Sequence, residues 1–388
     1  MKSNSRFETR AIHIGSEADK ETGAVSPPIQ LASTFKQTAV GQNNGFDYSR
    51  AGNPTRKRLE DNIATLEGGK YGISFSSGMA ATTALFQTLN AGDHVIIGHN
   101  VYGGTYRMSV KVLSRHGIEF EFVDAREVSS IEASIKSNTK LIFIETPTNP
   151  LLELSDINGV SKICSANGIL LAVDNTFMSP YGQNPLMLGS NVVMHSATKF
   201  IGGHSDLLAG VLVTNDPELA EQLYFIQKSG GAVPSPFDCW LMLRSTKTMA
   251  LRVQKQSENA LELAKRLNKE KLISSIIYPG LESHPQHELA LAQQHNPEGE
   301  PIFGSMISLR CGSVQNRDSF LKNLKIFTLA ESLGGVESLV CAPYDMTHVS
   351  VPEEIKNSMG LTSDLVRLSI GVEHVEDLYE DIIRALTE

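Results

Sequence analysis

Ile169-Leu170-Leu171-Ala172-Val173-Asp174, followed after a turn-rich spacer by Val192-Val193-Met194-His195-Ser196-Ala197-Thr198-Lys199, is the stretch whose reading decides the fold. Each half opens with a short apolar run, too short for a helix and rich in strand formers, which predicts a buried β-strand. Asp174 closes the first strand and the Ser196 to Lys199 tetrad leaves the second. Open α/β sheets bind ligands at the carboxyl ends of their strands. The residue types there match what pyridoxal phosphate requires: an amine for a Schiff base, hydroxyls for a phosphate, and an acid to keep a pyridine nitrogen protonated. Taken alone, a hydroxyl residue before a lysine and an aspartate ending a strand are equally ordinary parts of any α/β protein.

On either side of this stretch, strands and helices alternate. Ser77 to Leu89 and Gly104 to His116 have helical patterns; His94 to Ile97, Ile118 to Val123, Lys140 to Glu145 and Ala209 to Val213 read as strands. That alternation predicts an α/β fold with a mainly parallel sheet covered on both faces. A single long helix is expected from Pro236 to about Leu267, linking to a smaller α/β unit. That unit holds a strand near Met306 to Leu309, a helix from Asp318 to Lys325, a strand from Leu365 to Ile370 and a last helix from Val375 to Leu386. The first sixty residues, broken by Pro27-Pro28, Gly41, Gly45 and Gly52, lack a core of their own, so they are expected to lie on another surface, such as a second subunit. The expected division is an arm over residues 1–56, a cofactor-binding domain over 57–255 and a C-terminal domain over 256–388.

At 388 residues and 41% hydrophobic, the chain can bury more than one core. Its net charge of −9 argues against general affinity for nucleic acid or an anionic membrane. Cys164, Cys239, Cys311 and Cys341 show neither paired spacing nor scaffold density, the pattern of a reduced, cytoplasmic protein. Lys2, Arg6, Glu8 and Arg10 interrupt any signal-like apolar run, and no apolar run is long enough to span a membrane.

Further segments add to the pattern. Phe75-Ser76-Ser77-Gly78-Met79-Ala80 opens a helix with small residues, whose N–H groups can hold a phosphate or simply form a capped turn. Tyr102 offers an aromatic face beside Gly103-Gly104, and Arg367 a bidentate grip on a carboxylate or a surface ion pair. Asp174, His195, His204 and Asp206 are metal-ligand types, but their spacing matches no zinc motif, leaving a metallohydrolase or a non-catalytic α/β binding protein as alternatives from other classes.

Tyr48-Ser49-Arg50-Ala51-Gly52-Asn53-Pro54, Val101-Tyr102-Gly103-Gly104-Thr105, Glu145-Thr146-Pro147-Thr148-Asn149-Pro150, Val173-Asp174-Asn175-Thr176-Phe177 and Ser196-Ala197-Thr198-Lys199 occur in one order. Together they resemble the Cys/Met-metabolism family of pyridoxal-phosphate enzymes from about Ile12 onward. The resemblance implies an aspartate-aminotransferase-like, fold type I architecture and a homotetramer built from two dimers. It implies that Lys199 makes the covalent link to pyridoxal 5'-phosphate, Asp174 pairs with the ring nitrogen, and Tyr102 stacks on the ring and shares in proton transfer. It further implies that the phosphate rests on Gly78, Met79, Ser196 and Thr198, with Tyr48 and Arg50 reaching it from the neighbouring subunit. Asn149, Ser332 and Arg367 would hold the substrate carboxylate, and Glu331 the distal ammonium of cystathionine.

The activity so implied is γ-elimination of cystathionine in transsulfuration, by a lyase that releases cysteine, 2-oxobutanoate and ammonia. The alternative is γ-replacement, joining cysteine to an O-acylhomoserine; β-elimination and methionine cleavage fit less well. Asp47 stands where many relatives carry Glu, and Ser245-Thr246 where Gly-Leu is common.

Overall fold

The structure, a computed structural model, describes residues 5–349 and 351–388. Seven strands make the larger sheet: β1 Tyr71–Phe75, β2 His94–Gly98, β3 Glu119–Val123, β4 Thr139–Glu145, β5 Leu170–Asp174, β6 Val192–His195 and β7 Gly210–Thr214. Their order is β1-β7-β6-β5-β4-β2-β3, and only β7 runs against the others. Every residue of β2, β6 and β7 is buried, as strands covered on both faces must be. β1 has no counterpart among the predicted strands; Tyr71-Gly72-Ile73-Ser74-Phe75 alternates small, polar and aromatic residues, and its place at the sheet edge comes from pairing with β7.

The smaller sheet contains β8 Ser275–Ile277, β9 Met306–Arg310, β10 Thr328–Leu329, β11 Leu339–Cys341 and β12 Leu365–Ser369, in the order β10-β11-β12-β9-β8. Three of these strands have two or three residues, too short for a sequence period to register. The architecture is α/β of fold type I.

Two sequence expectations need correction. The single helix expected from Pro236 is two helices, Pro236–Thr246 and Met249–Leu267. Hydroxyls break it: Thr246 Oγ1 donates to the Leu243 carbonyl at 2.9 Å and Thr248 Oγ1 to the Ser245 carbonyl at 3.3 Å. Arg252 Nη2 takes the Ser245 carbonyl as well, at 3.0 Å, so that carbonyl is drawn away from the helical ladder. The first sixty residues are also not wholly without anchorage. Phe7 and Ala11 are buried in one core cluster with Leu59, Ile63 and Tyr181. Asn53 caps the helix Pro54–Leu66 through the Thr55 and Arg56 N–H groups at 2.9 and 3.2 Å, with Pro54 in the first turn. Between these anchors, Val25, Leu31 and Val40 are exposed.

Helix Met249–Leu267 joins the two sheets. Its first turns bury Met249, Ala250 and Val253 with Phe200 and Leu333, while its last turns bury Ala260, Leu263, Ala264 and Leu267 with Ile307, Leu309 and Val340. No helix among the described residues is long and apolar enough to cross a membrane.

Candidate active site

The carboxyl ends of β4, β5 and β6 are in register, Glu145 beside Asp174 and Asp174 beside Met194, and they face a cavity of about 220 Å³. Lys199, Arg367, Glu331, Ser332 and Asn149 line it from the other sides. Of the residues picked from sequence, Gly78, Met79, Tyr102, Asn149, Asp174, Ser196, Thr198, Lys199, Glu331, Ser332 and Arg367 all reach this cavity. Tyr48 and Arg50 do not. Both are exposed, and Arg50 donates to the Lys228 carbonyl of its own chain.

Asp174 is fixed by Thr176, whose hydroxyl and N–H donate to one carboxylate oxygen at 2.5 and 3.0 Å. The same hydroxyl oxygen accepts the Ser196 N–H at 2.9 Å, locking the start of the lysine loop to the end of β5. Burial raises the Asp174 carboxyl above its usual range against the pull of the Thr176 bonds, so a cation brought to it would restore its charge. Thr198 is pinned by its N–H to the Ala209 carbonyl at 3.2 Å, and its hydroxyl accepts the Ala209 N–H at 3.0 Å.

Lys199 Nζ donates to Ser332 Oγ at 2.9 Å. Burial, with the Arg367 guanidinium adding to it, lowers the lysine to about 8, while the Glu331 carboxylate opposes the shift. A useful fraction of the amine is therefore uncharged near neutrality. Ser332 has φ of +94°, the left-handed region that costs a side-chain-bearing residue energy. This turn aims its hydroxyl at Lys199 and its carbonyl at Arg367 Nη2, 2.9 Å away. Arg367 Nη1 donates to Asn149 Oδ1 at 2.7 Å, and its buried Nε finds no partner among the described residues. A buried guanidinium with donors to spare can take an incoming carboxylate.

The helix Gly78–Phe86 points its N-terminus at Ser196. Ser77 Oγ takes the Ala80 N–H at 3.1 Å, leaving Gly78 and Met79 as the first helical donors. A Cβ on Gly78 would stand 2.8 Å from Ser196 Cβ, so only glycine lets the helix end and the serine close on one anion. A Cβ on Gly104 would meet the Tyr102 ring at 2.5 Å, and its absence lets that ring lie along the cavity wall. Open amides and two hydroxyls at one end, a buried carboxyl at another and a low-pKa lysine between them fit a phosphorylated pyridine aldehyde.

Sequence reading gave no role to Glu145, Thr176 or Thr347, which also line the cavity. Glu145 had a signal, since it ends an apolar strand as Asp174 does; Thr347 had none. The metal-type residues do not assemble. His195 ends β6 and its ring meets the buried Glu67, His204 bonds the Gly202 carbonyl, and no group of three or more such residues suited to a metal occurs among the described residues.

The family model for the Cys/Met metabolism PLP-dependent enzymes matches residues 8–387. The chain is 49% identical to a cystathionine gamma-lyase of Bacillus subtilis (strain 168) over 98% of each. It is 48% identical to a cystathionine beta-lyase of Lactococcus lactis subsp. cremoris (strain MG1363), again over 98% of each. Among solved structures, cystathionine gamma-lyase from Lactobacillus plantarum complexed with L-serine matches with a TM-score of 0.95 at 44% identity, over 99% of each chain. With the match running nearly end to end and the lysine, the acid, the helix end at Gly78 and the arginine gathered in one cavity, the chain belongs to the Cys/Met metabolism PLP-dependent enzymes, and its cofactor is pyridoxal phosphate.

Proposed function

We propose that the protein catalyses γ-elimination of L-cystathionine: cystathionine and water give cysteine, 2-oxobutanoate and ammonia. One observation carries the choice of substrate. Glu331, exposed at the rim, lines the same cavity as Lys199 and Arg367, so a substrate held by its carboxylate at Arg367 can offer a second, distal ammonium to a carboxylate.

When bound, pyridoxal phosphate supplies the electron sink that makes protons next to the amine-bearing carbon acidic. Gly78, Met79, Ser196 and Thr198 would hold its phosphate, Asp174 its ring nitrogen, and Tyr102 its face. Arg367, steadied by Asn149 and the Ser332 carbonyl, takes the substrate carboxylate on its free N–H groups. Lys199 Nζ would accept the α-proton, and its bond to Ser332 Oγ fixes the direction of the amine. Tyr102, lining the same cavity, would share the proton transfers that release the thiol. We further infer that Tyr48 and Arg50, absent from their own chain's cavity, serve that of a neighbouring subunit.

A second reading is β-elimination, because relatives 48% identical to this chain are named beta-lyases. Product analysis separates the readings. With cystathionine, γ-elimination yields cysteine and 2-oxobutanoate, and β-elimination yields homocysteine and pyruvate. Formation of cystathionine from an acylated homoserine plus cysteine, without lyase turnover, would instead assign γ-replacement.

A further inference from the structure

We propose that Glu145 is a positioning residue, whose single buried carboxyl fixes the loop that covers the cofactor ring and the loop that steadies the substrate carboxylate relative to each other. One oxygen accepts the Tyr102 N–H at 2.8 Å and the other accepts the Asn149 N–H at 3.0 Å. The inference rests on Tyr102 and Asn149 having the roles proposed above.

Asn100 is a second tie between the two loops, its side-chain amide donating to Thr148 Oγ1 at 3.3 Å and to Glu153 Oε2 at 3.0 Å, but Glu145 alone binds the backbone N–H groups of both Tyr102 and Asn149. Tyr102 begins the helix Gly103–Lys111, whose N-terminus has no side-chain cap. Asn149 lies in the turn after β4, and its side chain reaches across to Arg367 Nη1 at 2.7 Å. A path of three hydrogen bonds thus runs from the substrate-binding arginine through Asn149 and Glu145 to the backbone of Tyr102. Its middle is anchored at the carboxyl end of a buried strand, in register with Asp174. Ring nitrogen partner, ring cover and carboxylate grip are thereby referenced to one sheet edge, the kind of support that keeps reacting groups aligned.

The residue type follows from geometry. Two converging N–H donors need two acceptors. Glutamine offers one, and its NH2 would face the second N–H. Aspartate is a methylene shorter, and its Cα is held by the ladder. Burial, and after it the neighbouring Asp174, push the Glu145 carboxyl well above the usual carboxylate range. Glu145→Gln keeps the shape of the side chain and replaces one of its two acceptor oxygens by a donor.

The test is residue-resolved amide hydrogen exchange on the cofactor-free protein, comparing the parent with Glu145→Gln and Glu145→Ala, alongside steady-state kinetics with cystathionine. Losing an acceptor should speed exchange of the amide it served about ten- to a hundredfold. In Glu145→Ala the Tyr102 and Asn149 amides should both accelerate; in Glu145→Gln, which preserves shape and one acceptor, only one should. Ladder amides such as Phe143 and Val173 should keep the parent rate in both variants. In the loaded enzyme, KM for cystathionine should rise in the order parent, Gln, Ala. Unchanged Tyr102 and Asn149 amides in the Ala variant would overturn the proposal, as would uniform acceleration through β4 and β5, the mark of a merely structural role. Should the parent fail to turn over cystathionine, the proposed reaction falls, and the amide pattern still decides the part played by Glu145.

Discussion

Replacing Lys199 by methionine converts the cost of burying an amine into a measurable slope. The side chain is half-buried, Nζ donates to Ser332 Oγ, and Arg367 adds a second positive charge nearby. Burial first and Arg367 second lower the lysine from 10.5 to about 8, with Glu331 resisting. Below about pH 8 the amine is charged in folded and unfolded chains alike, and the full cost is present. Between about pH 8 and 10.5 the unfolded chain still binds a proton that the folded chain has released, so stability rises with pH; above 10.5 both are neutral and the cost has gone. The interval, 10.5 minus about 8, is about 2.5 units, or about 3 kcal/mol at roughly 1.36 kcal/mol per unit. Lys199→Met has nearly the same length and no charge, so other titrating groups cancel when the two proteins are compared. In urea unfolding of cofactor-free protein at fixed concentration, the stability of the variant relative to the parent should fall by about 3 kcal/mol as the pH rises from about 7 to 10.5. A relative stability that stays flat across that range would refute the account of Lys199 as a strained, pre-lowered amine.

Other expectations follow from the same geometry. Glu331→Ala should lower the cystathionine-over-methionine ratio of kcat/KM by about ten- to a hundredfold, since a charge-assisted hydrogen bond is worth roughly 1.5–3 kcal/mol; equal losses on both substrates would reduce Glu331 to a local pairing role. Gly78→Ala brings a methyl to 2.8 Å from Ser196 Cβ and should weaken pyridoxal phosphate affinity at least about tenfold by equilibrium dialysis, with unaltered affinity counting against the cradle. Arg367→Lys keeps the charge but cannot keep both the Asn149 and Ser332 contacts, so KM for cystathionine should rise about tenfold or more while kcat changes less; a purely kcat effect would move Arg367 away from ground-state binding. Hybrids of an Arg50→Ala subunit with a Lys199→Ala subunit should regain activity that neither parent variant has. No recovery in verified hybrids would confine the site to one chain.

Legibility of the sequence followed the range of the forces involved. Strands β2 and β4 to β7 were readable because each carries a short apolar run, the local signature of strands buried on both faces, and β3 because Glu119-Phe120-Glu121-Phe122 alternates polar with apolar residues. Strand β1 was not, since Ser74 sits within it and its polar groups are met by the side chains of Glu60 and Gln227 from two separate helices. The break at Lys247 and Thr248 leaves no mark in the apolar period because its causes are polar side chains, the Thr246 and Thr248 hydroxyls and Arg252, turned onto nearby backbone carbonyls. In the site, Lys199 and Asp174 announced themselves by residue type at strand ends. Glu145 sat in the same kind of position and was passed over because its partners are backbone N–H groups, which leave no mark in a sequence. Thr347 enters the cavity from a turn that no local pattern marks.

Helix Met249–Leu267 bears on how such a protein can be recombined. Along one face, Arg252 donates to the Phe200 carbonyl at 2.8 Å, Gln256 to the Gly335 carbonyl at 2.6 Å and Asn259 to the Glu373 carbonyl at 2.8 Å. Spaced four and three residues apart, they form a single stripe that touches the lysine loop, the Glu331–Gly335 turn and the strand end beyond Arg367 in succession. The helix therefore behaves as a ruler with three marks, and its two ends are not interchangeable parts. A chimera of two relatives joined within this helix would set the lysine of one parent against the arginine of the other through marks cut for neither. Junctions before Met249 or after Leu267 keep the ruler whole, and shuffled libraries should recover working enzymes there in preference to the turns between.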